Sequence, residues 1–179
     1  MNIRNSIKAV LDSIESDDRL IDTPQRVENM LSEFFNGYDA DIQDILSVKY
    51  CSDMDDLIVL NNIPFESHCE HHMVPIIGRV SIGYIPDSIV IGASKLARLV
   101  DVFAHRLQLQ ERMTVQIATT LHTTLKCKGV AVLIEGEHFC ISHRGVKKHN
   151  VCFVTRYFLG CLKSNYELRR EFLDSCKMS

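Results

Sequence analysis

The sequence predicts an α+β domain in which an antiparallel sheet is backed by two long helices on one face. The first observation is the order of patterns: two stretches rich in Ile and Val, two long segments with helical apolar spacing, then two more strand-like stretches. The second is that Pro64, Pro75, Pro86 and Gly129 bound these stretches. No repeat, low-complexity segment or long linker interrupts the order.

The chain begins with two predicted helices. Residues 3–15 place apolar side chains at helical intervals. The second helix begins in the run D-T-P-Q-R, where Pro24 suits the first helical position, and Gly37 ends it. We therefore expect an N-terminal helical appendage over residues 1–45 and a main domain over residues 46–179.

The main domain follows with alternating β-rich and helical stretches. Ser94 is expected to cap the first of its helices. Residues 88–91 resemble the return strand of a hairpin. In chain order, the predicted elements are strands 57–65, 74–85 and 88–91, helices 94–107 and 111–126, strands 129–140 and 151–158, and helix 167–173.

Composition excludes several classes of protein. Apolar residues make up 46% of the chain and charged residues 24%, as in ordinary globular domains. The net charge of -3 argues against general nucleic-acid binding, which needs a basic surface. The sequence has no signal peptide and no apolar run near the roughly 20 residues of a membrane span, so we expect a cytoplasmic protein. The seven cysteines are scattered and odd in number, which argues against a disulfide framework.

The stretch S-H-C-E-H-H-M concentrates one thiol and three imidazoles within five residues. In a helical turn, Cys69 and His72 lie on one side, as do His68 and His72; in extended chain Cys69 and His71 pair instead. Spacing alone leaves these alternatives open, together with a solvated turn that binds no metal.

A second cluster, E-G-E-H-F-C, supplies another thiol. In a strand, His138 and Cys140 point to the same face because side chains alternate. One Cys from the first cluster, one of its histidines and Cys140 make a three-ligand zinc set that leaves the fourth position for water. An obvious fourth ligand would instead indicate a structural site, and several histidines remain as candidates.

Two further clusters are candidates for ligand binding. One is cationic: Lys95 and Arg98 near a helix start, and H-R-G-V-K-K with Arg144, four residues beyond Cys140; such groups suit phosphate, although a solvated charge run is the alternative. The other is L-Q-L-Q-E-R. A buried carboxylate there can accept two hydrogen bonds from a guanine-like edge, but a Glu before a helix more commonly caps it.

Together these pieces resemble GTP cyclohydrolase I. The matching runs extend from about residue 22 to residue 173, in order and nearly without gaps: D-T-P-Q-R, F-E-S-H-C-E-H-H-M-V-P-I-I-G-R-V-S-I-G-Y-I-P, I-G-A-S-K-L-A-R-L-V-D, L-Q-L-Q-E-R-M-T-V-Q-I-A and H-F-C-I-S-H-R-G-V-K-K. The combination of C-E-H-H with H-x-C and R-G-V is highly specific to that family. Two departures are G-A-S-K in place of G-L-S-K, and N-V-C-F-V-T-R-Y, in which only Thr155 retains the Ser/Thr character usual in that strand.

The resemblance implies the tunnelling fold, in which antiparallel strands of several subunits close into a barrel with the helices outside. It implies a homodecamer of two stacked pentamers with active sites between subunits, and GTP as substrate in the first step of pterin and folate biosynthesis. The metal ligands for Zn²⁺ would be Cys69, His72 and Cys140, and the proton-transfer groups His71 and His138. The implied substrate-binding residues are Ser94, Lys95, Arg98, Gln110, Glu111, Arg144 and, from a neighbouring subunit, Arg26.

Two other functions fit the same residues. One is a different pterin or deazapurine enzyme on the same fold, which would not be expected to combine C-E-H-H with H-x-C. The other is a zinc-stabilised oligomeric binding module, which predicts a closed metal site and no need for His71 or His138. The resemblance gives His68 no role.

Overall fold

Three α-helices precede the first strand of the computed structural model, which describes residues 2–15 and 17–177. Asn2 caps the first helix through its side chain, and Pro24 lies in the first turn of the second, as the sequence predicts. The helices are α1 (Ile3–Ile14), α2 (Thr23–Phe34), α3 (Ile42–Ile45), α4 (Ala93–Ala104), α5 (Gln110–Leu125), α6 (Phe139–Ser142), α7 (Cys161–Ser164) and α8 (Tyr166–Lys177). Single 3₁₀ turns cover Asp18–Leu20 and Asn36–Tyr38.

Seven strands form two sheets within the described residues. They are β1 (Lys49–Cys51), β2 (Ile58–Cys69), β3 (Pro75–Ile85), β4 (Ile89–Ile91), β5 (Leu107–Gln108), β6 (Gly129–His138) and β7 (Phe153–Gly160). The main sheet has the order β5-β2-β3-β6-β7 and is antiparallel except for the short β2–β5 pairing. The predicted α+β class with an antiparallel sheet is confirmed.

The two long helices, α4 and α5, pack on one face of this sheet, as predicted. Alternate strand residues such as Ile82, Val132 and Ile134 are fully buried there against Leu99 and Ile117. The other face is covered at one end by α8, whose Phe172 is fully buried in a smaller cluster. Phe172 lies against Gly83, so the sheet is packed on both faces at that end.

The hairpin predicted for residues 88–91 is wrong. Ile89–Ile91 pairs with Lys49–Cys51, forty residues earlier, in a separate two-stranded sheet. Tyr84 joins the two sheets, because its hydroxyl accepts a hydrogen bond from the Ile91 N–H at 3.2 Å. Ser88, whose φ is +67°, turns the chain away from β3.

Ser94 does not cap α4. The N-cap is Gly92 and makes no side-chain hydrogen bond, and Ser94 lies exposed in the first turn of the helix. Among the described residues no helix has the length and apolar character to cross a bilayer. The division into 1–45 and 46–179 stays a proposal.

Candidate metal centre

The chain reverses immediately after Cys69, the last residue of β2. The Cys69 carbonyl accepts hydrogen bonds from the N–H groups of His72 and Met73, at 3.3 and 2.8 Å, and its own N–H donates to the Val74 carbonyl. Met73 completes the turn with a φ of +56°. The segment is thus neither a continuous helix nor an extended strand, and the turn brings His72 back over Cys69.

Cys140 joins this turn from β6 and α6. The expected strand over residues 129–140 ends at His138, and Phe139–Ser142 forms a helical turn, so the expectation that His138 and Cys140 share a strand face is wrong. The thiols of Cys69 and Cys140 and one ring nitrogen of His72 nevertheless lie within 4.8 Å of one another. Cys69 is buried, Cys140 half-buried and His72 exposed, so the group is open on one side.

These three side chains can hold a metal ion. Around a tetrahedral zinc with bond lengths of about 2.0–2.3 Å, neighbouring ligand atoms are about 3.5–3.8 Å apart. The observed spread therefore needs only small side-chain adjustments. Burial and the adjacent Cys69 thiol raise the pKa of the Cys140 thiol. A bound cation would favour the thiolate forms of both cysteines.

Arg144 lies beside the metal group and contacts the ring of His72. Its Nη1 lies 2.6 Å from Nε2 of His72. A guanidinium can only donate hydrogen bonds, so Nε2 of His72 must be an acceptor and the ring carries its proton on Nδ1. The Nε2 lone pair is thus engaged by Arg144, so His72 binds a metal only once Arg144 moves away from Nε2 or the ring proton leaves Nδ1.

His71 is outside the three-residue group. Its side chain is 62% exposed, with Nε2 3.9 Å from a carboxylate oxygen of Glu70. Its Nδ1 lies 3.8 Å from the Cys69 sulfur. Glu70 is itself paired with Arg112 of α5, an anchor of the turn that the sequence analysis did not identify. A Glu and an Arg separated by 42 residues give no local signal in the sequence.

His138 lies deeper than His71. It is half-buried at the end of β6, and its Nε2 is 3.0 Å from the side-chain oxygen of Gln110. Burial lowers the pKa of His138, while the nearby Glu111 carboxylate acts in the opposite direction. The first two residues of α5 therefore face the same end of the sheet as the metal group.

The α4 residues expected to bind phosphate do not join this group within one chain. Leu107, just beyond α4, pairs with His68, so the C-terminal end of α4 lies near the metal group. Ser94 and Lys95 are near the other end of this 12-residue helix, about 14–15 Å from its C-terminal residue along the axis. Arg98 lines a cavity of about 270 Å³ with Asn36 and His105 instead.

Arg26 and His68 both lie outside the metal group. Arg26 is 78% exposed on α2, 3.7 Å from Asp22. His68 is buried and stacks on Phe34, with 4.4 Å between ring centroids. Its Nδ1 has no hydrogen-bond partner among the described residues. The structure thus separates His68 from the metal group and turns it toward α2.

Comparisons with known proteins agree on one family. The family model described as GTP cyclohydrolase I matches residues 2–177. Among similar proteins named GTP cyclohydrolase 1, that of Wolinella succinogenes is 46% identical over 176 residues, covering 96% of this chain and 94% of that protein. That of Pelagibacter ubique is 46% identical over 160 residues (88% and 79%), and that of Hyphomonas neptunium 48% over 159 residues (88% and 77%).

Solved structures show more distant similarity. The apo form of a QueF-like archaeosine synthase matches with a TM-score of 0.49 and 20% identity, over 58% of this chain and 93% of that one. A dihydroneopterin aldolase from Burkholderia thailendensis, bound to guanine, matches with a TM-score of 0.39 and 12% identity, over 58% and 89%.

Proposed function

This chain belongs to the GTP cyclohydrolase I family, and we propose that it opens the imidazole ring of GTP by hydrolysis. Formate is released, and rearrangement gives 7,8-dihydroneopterin triphosphate. The group formed by Cys69, His72 and Cys140, with donor atoms within 4.8 Å, is the observation that carries this proposal. Three protein donors leave a fourth tetrahedral position free, which is the pattern of catalytic rather than structural zinc.

Zn²⁺ is the proposed metal. Two thiols and one imidazole are donors that zinc prefers. When bound, the ion supplies Lewis-acid activation of a water molecule for attack on carbon 8 of the purine. The half-buried position of Cys140 and the exposed His72 leave the open side toward solvent, where substrate can enter.

The two histidines next to this group are assigned to proton transfer. His71 is exposed at the tip of the turn, so its ring can reach nitrogen 7 of a bound purine; protonation there makes carbon 8 electrophilic. Imidazole suits this task because its pKa lies near working pH. His138 is the second proton-transfer group, for the hydrolysis that releases formate. The later ribose rearrangement and ring closure are largely intrinsic to the opened intermediate, which the protein has to hold.

Substrate recognition is assigned to two groups of residues. Glu111, exposed at the start of α5 and close to His138, accepts hydrogen bonds from the amino and ring N–H groups of guanine. Gln110 lies beside Glu111, but its side-chain oxygen faces His138. The ribose and triphosphate are assigned to Ser94, Lys95, Arg98, Arg144 and Arg26.

We propose further that the active site is shared between subunits of a homodecamer built from two stacked pentamers. Ser94 and Lys95 lie about 14–15 Å along α4 from the metal end of their own chain, so they serve the metal group of another chain. The free state of all seven cysteines supports a reducing, cytoplasmic location.

The function is tested by incubating the zinc-loaded protein with GTP and measuring formate and, after oxidation, pterin fluorescence. Both products should form in equal amounts. Zinc-loaded, folded protein without turnover would contradict the proposal and favour a zinc-stabilised binding module or an enzyme of the same fold with a different substrate.

Site sharing is tested separately by mixing subunits. Cys140→Ser and Lys95→Ala proteins should each be inactive as pure oligomers. After joint unfolding and reassembly, some sites receive an intact metal group from one chain and an intact Lys95 from another, so activity should return. Mixed oligomers that stay inactive would contradict sharing.

A further inference from the structure

Both polar atoms of the Gln110 side-chain amide are buried and hydrogen-bonded to other residues of the protein. Gln110 is only 1% exposed. Its Nε2 lies 2.8 Å from the Phe153 carbonyl oxygen and 3.1 Å from both the Ile134 carbonyl oxygen and Oγ1 of Thr155. Its Oε1 lies 3.0 Å from Nε2 of His138. No polar atom of this side chain is left to contact a substrate.

These contacts fix which way the amide points. Carbonyl oxygens only accept hydrogen bonds, so the atom facing Phe153 and Ile134 must be the NH₂ group. The other terminal atom is then the oxygen, and it faces His138. An amide oxygen also only accepts, so the proton of this bond belongs to His138 Nε2. The neutral ring therefore carries its hydrogen on Nε2 and a free lone pair on Nδ1.

Two threonine hydroxyls agree with this assignment. Oγ1 of Thr114 donates its single proton to the Gln110 backbone carbonyl at 2.7 Å. In its 2.7 Å contact with Thr155, Thr114 must then accept and Thr155 must donate. The oxygen of Thr155 remains free to accept from the Gln110 NH₂ group. The two hydrogens of the Gln110 NH₂ group are shared among three acceptors, the Phe153 and Ile134 carbonyls and Oγ1 of Thr155, and the chain of bonds ends on His138.

The amide oxygen of Gln110 fits because the neighbouring strand residue, Gly136, has no side chain. Gly136 lies on β6, two residues before His138, and a Cβ there would lie 2.6 Å from Oε1 of Gln110. On the other side, the His138 ring packs edge-on against Phe153, with 5.2 Å between centroids. The ring is therefore held both by its hydrogen bond and by packing.

We propose that Gln110 is a positioning residue, which holds His138 in the Nε2–H tautomer and leaves its Nδ1 as the proton acceptor of the reaction. The role rests on the proposed function, in which His138 transfers protons. Gln110 then acts on turnover through His138, and recognition of the guanine edge by side chains falls to Glu111.

The tautomer is measured directly in wild-type protein. ¹⁵N NMR of zinc-loaded protein labelled in its histidine rings, with the His138 signals identified by their loss in His138→Ala, should show a protonated Nε2 and a bare Nδ1. The opposite pattern would overturn the proposal. This measurement needs no turnover, so it decides the tautomer even if the protein does not act on GTP.

The kinetic test replaces Gln110 with Met, which keeps the length of the side chain and removes its polar atoms. We expect kcat to fall about 10–100-fold, the usual effect of losing a partner one step from the reacting groups, with KM for GTP within about twofold. The matched control is Gln116→Met on the same helix, which should change neither constant. A raised KM with unchanged kcat would show instead that Gln110 binds substrate.

A second variant keeps the test usable if Gln110→Met does not fold. Thr155→Val retains the shape of the side chain and removes one partner of the Gln110 amide, so a smaller fall in kcat is expected. Zinc content and melting temperature are measured for each variant. A Thr155→Val protein that lowers only KM or zinc content would contradict the proposal.

Discussion

Gly136→Ala is the sharpest perturbation of the site that leaves its polar residues unchanged. Gly136 does not have a positive φ, so alanine fits the backbone and the effect is steric. The new Cβ would lie 2.6 Å from Oε1 of Gln110, which must withdraw by roughly 0.5–1 Å to reach van der Waals distance. That shift stretches the 3.0 Å bond to His138 to the limit of a hydrogen bond or beyond it.

The expected cost has two parts. Overpacking of a well-filled site costs about 1–3 kcal/mol, and loss of one internal hydrogen bond about 1 kcal/mol, so Gly136→Ala should destabilise the protein by about 2–4 kcal/mol. Turnover should fall together with stability, because the tautomer and position of His138 are no longer fixed.

A double-mutant cycle identifies the cause. In a Gln110→Ala background the nearest remaining obstacle is Cγ2 of Ile76 at 3.3 Å, a tight but tolerable contact. Gly136→Ala should then cost about 1–2 kcal/mol less than in wild type. The assay is urea denaturation at fixed protein and zinc concentrations, accompanied by kcat. Additive effects within about 0.5 kcal/mol, or an unchanged kcat, would refute the reasoning.

Three further predictions address the metal, the substrate and the sheet. Cys140→Ser should lose zinc and turnover together, whereas His138→Ala should keep zinc and lower kcat by about 10²–10⁴-fold. Metal analysis after dialysis distinguishes the two variants. Zinc loss in His138→Ala would contradict the assignment of Cys140 as a metal ligand and His138 as a proton-transfer group. Glu111→Gln should raise KM for GTP about 10–100-fold through one weakened charged hydrogen bond, and an unchanged KM argues against guanine recognition. Tyr84→Phe should cost about 1–3 kcal/mol in urea denaturation by orphaning the buried Ile91 N–H, with kcat unchanged; equal stability would show that water replaces the hydroxyl.

The elements that sequence predicted best are those with a local period. The helical spacing of apolar residues located α5 within one residue at each end, and α4 within one residue at its start and three at its end. Strands β2 and β3 followed from their Ile and Val content. The hairpin failed because pairing is not local: Ile89–Ile91 is too short to display its partner, and Lys49–Cys51 carries no strong strand signal. Tertiary contact with Tyr84, rather than the turn, decides its position.

In the candidate site, too, the sequence indicated the local features but not the long-range contacts. The types of ligand were visible in the sequence, but the turn that folds His72 over Cys69 and the helical turn that carries Cys140 depend on packing. Thr155 was visible only as the residue that retained the Ser/Thr character of its strand. Its contact with Gln110 joins residues 45 positions apart, and no pattern of period two or 3.6 records such a contact.

The distribution of charge supports the proposal that one chain alone is not a complete site. At the metal end, Arg112 is engaged by Glu70, and Arg144 contacts His72. A triphosphate carries about four negative charges, so Arg144 alone cannot balance it. Further groups that can bind phosphate lie at the start of α4, where Lys95 and the exposed Ser94 are next to the helix N-terminus. The N-cap residue there, Gly92, makes no side-chain hydrogen bond, so backbone N–H groups stay available to an anion. A serine at the N-cap would accept hydrogen bonds from these backbone N–H groups and so compete with a bound anion. We propose one explanation for the departure from the expected cap and for the distance along α4: a phosphate subsite that one chain presents to the metal group of another.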